Sequence, residues 1–179
     1  RAPTHIGASP RGPSMGPRAL RVANLLTVLQ GHGPEVLDRG NLHGPTNPWL
    51  PPVDGYRHLA EVVAWNRSVH DAVYAELALG RLPILLGGDH SLGIGSISAV
   101  ARHCRANGRQ LRVLWLDADA DVHTKSPTAS STSPRLPLSR MCGSGPQALI
   151  ETGRQLPSHP HNAPAQHTNA RPTTAPRIH

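Results

Sequence analysis

Residues 82–124 read LPILLGGDHSLGIGSISAVARHCRANGRQLRVLWLDADADVHT. Two short apolar runs, Leu82 to Leu86 and Leu111 to Leu116, each break off into acids and histidine. The first delivers Gly87-Gly88-Asp89-His90 and the second Asp117-Ala118-Asp119-Ala120-Asp121-Val122-His123. Between them Ile94, Ile97, Ala101 and Cys104 recur at helical spacing, and Asn107-Gly108 closes the pattern. The unit reads as strand, helix, strand, with the strands parallel and their functional groups at the carboxyl ends.

Working upstream, Asp54 is expected to cap the clearest helix. Leu59, Val62, Val63, Asn66, Val69, Val73 and Leu77 repeat every three or four residues until Gly80. Residues 41–53 hold four prolines and read as an ordered loop, with a brief strand expected at Val36 to Arg39. Pro17 suits the first turn of another helix, carrying Ala19, Val22, Leu25, Leu26 and Leu29 on one face until Gly31 and Gly33. Residues 1–18 are rich in Gly, Pro and Ser and read as loop. The order helix, helix, strand, helix, strand predicts an α/β layer fold with a parallel sheet.

Downstream of Thr124 the periodicity stops. Residues 125–179 hold nine of the 19 prolines and six basic residues against the single acid Glu151. Upstream, twelve basic residues face ten acids, so most of the net charge of +7 sits in this tail. The basicity is therefore no argument for nucleic acid, and the tail lacks aromatic side chains on which bases could stack. With 179 residues, 37% apolar, 3% aromatic and no Phe, the chain reads as one domain of residues 1–124 followed by a disordered low-complexity tail, 125–179. Cys104 and Cys142, the only cysteines, form no disulfide framework. No run is long enough to span a membrane, no secretory signal is visible, and a cytoplasmic setting is expected. The start at Arg1 rather than Met reads as a fragment.

Asp117, Asp119 and Asp121 alternate at the exit of an apolar run, which places them on one side if the strand continues. Three carboxylates so close repel one another unless a cation neutralises them. Hard oxygen ligands suit magnesium, calcium or manganese, and the imidazole of His90 moves the preference toward manganese, iron or zinc. The EF-hand pattern is excluded, since its glycine and distal Glu are missing. Gly87-Gly88-Asp89-His90-Ser91 also reads as a glycine turn with Asp89 or Ser91 as cap, leaving His90 to face a metal. Gly93 and Gly95 weaken the start of a helix and make sense where backbone must approach a ligand or another strand.

Three motifs carry a family resemblance. Gly87 through Ser96 resembles the first metal motif of the arginase family of ureohydrolases, and Trp115 through Asp121 resembles the second, normally Asp-Ala-His-x-Asp. Gly12 through Arg21 resembles the family's N-terminal segment, and the likeness extends over about residues 6 to 124. The Leu-Gly-Ile-Gly-Ser continuation favours arginase over agmatinase. The resemblance implies a three-layer α/β/α fold with a parallel sheet, here incomplete at its C-terminal side. It implies two manganese ions, whose activated hydroxide attacks the guanidinium carbon of L-arginine to give L-ornithine and urea. Carried over by position, His90, Asp117 and Asp121 hold one manganese. Asp117 bridges to the second, and Asp119 occupies the place of that ion's histidine. Asp119 and His123 are the implied catalytic residues, with His123 and Thr124 touching substrate. No Asp follows Asp121, so the later Asp-x-Asp pair has no counterpart and the second manganese site is incomplete. The abrupt change after Thr124 reads as a frameshift near codon 125. The alternative functions are an inactive truncated relative that binds at most one divalent ion, and an agmatinase-type ureohydrolase. The family also implies a homotrimer or hexamer.

Overall fold

A computed structural model describes residues 1–7, 12–51 and 58–117. Four α-helices lie within these residues: α1 (Gly16–Val22), α2 (Leu25–Gly31), α3 (Leu59–Ala78) and α4 (Gly93–Ala106). Single 3-10 turns at Pro13–Met15 and His90–Leu92 lead into α1 and α4.

The long helix expected from the apolar spacing is α3, and it packs against α4. It buries Val62, Val63, Trp65, Asn66, Val69 and Val73, with Leu59 and Leu77 partly covered. Its N-cap is His58, in the left-handed region at φ 50°, so Asp54 is not the cap; Asp54 itself lies outside the described residues. Gly80, at φ 71°, follows the helix end as expected, and Gly108, at φ 63°, does the same for α4.

The buried face of α4 differs from the expected one. Ile94, Gly95, Ser98, Ala99 and Ala101 are buried, while Ile97 and Cys104 stay partly exposed. Small residues at 95 and 99, one turn apart, let α4 approach α3 closely, and that approach draws the stripe round by one position. A Cβ on Gly95 would lie 2.3 Å from the Asn66 carbonyl oxygen. The glycine therefore serves a helix contact, rather than a ligand or a strand.

The helix expected over Ala19 to Leu29 is broken in two. Asn24 adopts φ 65°, and its side chain accepts a hydrogen bond from the Thr27 hydroxyl at 3.0 Å. Pro17 is the only buried residue of α1, and α2 buries none, so little core contact holds one continuous rod. Val36 to Arg39 forms no strand. The proline-rich loop is irregular through residue 51, as expected, and is fastened by Trp65, whose indole N–H donates to the Pro45 carbonyl at 2.9 Å.

The parallel sheet is where expectation and structure part. Among the described residues no strand forms, and the one β-type pairing is an isolated parallel bridge between Ala2 and Gly87. Its bond runs from the Ala2 N–H to the Leu86 carbonyl at 2.9 Å. Pro83 brings no N–H to a ladder. Exposure still alternates along both apolar runs. Leu82 and Ile84 are 86% and 56% exposed and Leu114 and Leu116 82% and 85%, while Leu85, Leu111, Val113 and Trp115 are half-buried. Each run thus turns one face inward and leaves the other without cover. The core gathers Ala2, Ile6, Val62, Val63, Trp65, Val69, Val73, Leu92, Ile94 and Ala99 around the α3–α4 contact.

Candidate metal centre

The glycine turn at 87–88 is shaped by what lies against it. Residues 1–7 cross over the turn, and a Cβ on Gly88 would sit 1.6 Å from the Thr4 carbonyl oxygen. No other residue fits there. Asp89 follows, buried, with extended backbone, and caps the 3-10 turn by accepting the Ser91 N–H on Oδ1 at 2.9 Å. The capping half of the glycine-turn reading is therefore borne out by Asp89. Its other oxygen, Oδ2, accepts the Gly7 N–H at 3.0 Å.

Held by this turn, His90 projects outward. Its Nε2 lies 2.5 Å from Asp117 Oδ2, and the Trp115 ring meets the imidazole edge-on at 5.9 Å between centroids, with 64° between planes. The His90 side chain is half-exposed, and Asp117 is less so. The ends of both apolar runs therefore converge, although the runs form no ladder with each other.

An imidazole nitrogen and a carboxylate oxygen facing one another make the mixed donor set that suits manganese, iron or zinc. Among the described residues no group of three His, Cys, Asp or Glu side chains gathers at one point, so His90 and Asp117 are the two donors they supply. Asp119, Asp121, His123 and Thr124 lie outside the described residues.

The sequence motifs assign no part to Asn66 or Gly7. Asn66 is wholly buried; its Oδ1 accepts the Gly95 N–H at 2.6 Å and its Nδ2 donates to the Val62 carbonyl at 2.9 Å. Its signal was a polar residue in an apolar stripe. Gly7 gave no signal, since nothing local marks a contact 82 positions away.

This geometry has counterparts among known proteins. The sequence model of the Arginase family matches residues 2–171, nearly the whole chain. The chain belongs to the arginase family. The match runs on past Thr124, further than the motif resemblance over residues 6 to 124. Among curated relatives, the arginase of Brevibacillus brevis is 33% identical over 155 residues, covering 87% of this chain and 51% of that protein. The arginase of Agrobacterium fabrum is 38% identical over 143 residues, covering 79% of this chain and 44% of that protein. The native structure of the Bacillus caldovelox arginase superposes with a TM-score of 0.76 at 32% identity, covering 85% of this chain and 50% of that one. The Entamoeba histolytica arginase in complex with L-ornithine gives 0.75 at 29% identity, with 84% and 51% covered. The chain thus shares the arginase-like fold, and it spans about half the length of these relatives. No helix among the described residues is long and apolar enough to cross a membrane.

Proposed function

We propose that this chain carries the first part of an arginase site that hydrolyses L-arginine to L-ornithine and urea with two manganese ions. The observation that supports this most is the convergence of His90 and Asp117 at 2.5 Å, one from each metal-type motif of an arginase-family chain. When bound, the pair of ions supplies a Lewis acid and a nucleophilic hydroxide at neutral pH. The chain's own part would be to present ligands: His90, Asp117 and Asp121 for one ion, Asp117 also for the second, and Asp119 in the place of a histidine. His123 and Thr124 follow directly and are assigned to the substrate guanidinium, with Asp119 and His123 as catalytic groups. The complex of the Entamoeba relative with L-ornithine supports an amino acid of that skeleton as ligand. We place the protein in the cytoplasm as a homo-oligomer, with no nucleic-acid or membrane partner.

A second reading is an inactive relative holding at most one divalent ion, and it is favoured by Asp119 standing in the place of a metal-binding histidine. Urea release from L-arginine by the manganese-loaded protein separates the two, with Asp117→Ala as control. Release that the control loses supports the enzyme. A folded sample that binds manganese without releasing urea leaves the inactive relative, and release from agmatine in place of L-arginine makes it an agmatinase-type enzyme.

We also divide the chain at residue 124, with 1–124 as a partial domain and 125–179 as its tail. Limited proteolysis that stops near Thr124 supports this division. Protection through residue 171, the end of the family match, replaces it and removes the argument for a frameshift.

A further inference from the structure

The N-terminal segment is fastened to the His90 turn at three points along its path. The Ala2 N–H donates to the Leu86 carbonyl, Thr4 lies against Gly88, and the Gly7 N–H donates to Asp89 Oδ2. His5 Nδ1 and the Ser14 hydroxyl, 2.9 Å apart, tie the same segment to the turn that opens α1. The contacts of Ala2, Thr4 and Gly7 all fall on residues 86–89, immediately before the imidazole.

We propose that Asp89 is the positioning residue of His90, acting as a two-sided clamp between the His90 turn and Gly7. Only a carboxylate does both tasks. Both its oxygens accept, one from the Ser91 N–H inside the turn and one from the Gly7 N–H outside it. An amide at this position keeps one acceptor and turns an NH2 donor toward the other N–H. Asparagine is as good a cap as aspartate, so Asp89→Asn keeps the turn and releases Gly7. Gly7 is fitted to the clamp from its own side, because a Cβ there would lie 2.7 Å from Asp89 Oδ1 and 2.9 Å from the Ser91 hydroxyl. His90 follows Asp89 directly, so the backbone direction that aims its ring at Asp117 is set by a contact 82 positions away in sequence.

The inference rests on the reading of His90 as a metal ligand, and the experiment separates the two. Manganese affinity is measured by calorimetry on the full chain for the wild type, His90→Ala, Asp89→Asn, Gly7→Ala and Gly95→Ala. The last weakens the α3–α4 contact without touching the clamp and serves as a destabilised control. Loss of a residue that orients a ligand costs about 10–100-fold in metal affinity. That loss is expected for Asp89→Asn and Gly7→Ala, with Gly95→Ala binding like the wild type. In metal-free protein the His90 ring signals, assigned by their absence in His90→Ala, are expected to move in Asp89→Asn and to stay in Gly95→Ala. Wild-type affinity in Asp89→Asn beside lost affinity in His90→Ala overturns the clamp alone. An equal loss in Gly95→Ala also overturns it, reducing Asp89 to general stability. Unchanged affinity in His90→Ala removes the ligand reading and the clamp with it.

Discussion

Asn66 shows what a single polar residue in an apolar stripe can do. Gly95 belongs to the first turn of α4, where backbone N–H groups have no carbonyl four residues back within the helix. The preceding Leu92 offers no capping side chain, and Asn66 supplies the acceptor from the neighbouring helix. Asn66→Leu should therefore leave a buried donor unpaired and cost about 1–3 kcal/mol. Chemical denaturation checks this, and an unchanged midpoint would sink it. Gly95→Ala tests the other half of the contact. Alanine gains about 1 kcal/mol of helix propensity over glycine, but the new methyl must enter space 2.3 Å from the Asn66 carbonyl. Overpacking costs about 1–3 kcal/mol, so a net loss is expected, and a stabilised variant would mean that the two helices separate freely. The meeting of His90 and Asp117 was legible in the sequence, because acids and imidazole at the ends of apolar runs are a local pattern. Asn66 and Gly7 act through contacts that only the folded chain brings together.

Among the elements, the apolar stripe and C-terminal end of α3 were legible because spacing and the following glycine are local signals, whereas its cap is His58 rather than the expected Asp54. The break at Asn24 was not legible, since α1 and α2 carry one continuous apolar pattern and only their lack of a buried partner separates them. The C-terminal end of α3 carries a charge cluster with a consequence for pH. Arg39 bonds both oxygens of Glu76, at 2.9 and 3.3 Å, and Arg81 adds a third bond at 3.1 Å. The bonds from Arg39, then the one from Arg81, hold the Glu76 carboxyl below its ordinary value of 4.5. A carboxylate depressed by folding contributes stability that is present above its unfolded pKa and is lost as pH falls through the folded one. Glu76→Gln should therefore lower Tm by a constant amount above pH 4.5, with the gap to the wild type closing as the pH falls further. A gap that persists unchanged at the acid end would show that packing, rather than charge, joins the segment around Arg39 to α3.

At the scale of the whole molecule, the parallel sheet was the least legible feature, because a ladder depends on neighbours that a single apolar run cannot specify. What the sequence did carry is the alternation: Leu82, Ile84, Leu114 and Leu116 all lie on uncovered faces, with their neighbours turned inward. An apolar face left open along both runs is a surface for another chain to cover. Burying a Leu or Ile side chain contributes about 1.5–3 kcal/mol, so four of them in solvent form a strong drive to association. The purified chain is expected to bind a hydrophobic dye and to sediment as a concentration-dependent mixture, in place of the single trimer or hexamer implied for the family. Replacing Leu114 and Leu116 together by Lys should reduce both signals. These side chains already lie in water, so the change should leave the α3–α4 core and its unfolding midpoint in place. A discrete wild-type trimer that survives the double substitution would place the contact between copies elsewhere, with the uncovered apolar face playing no part in assembly.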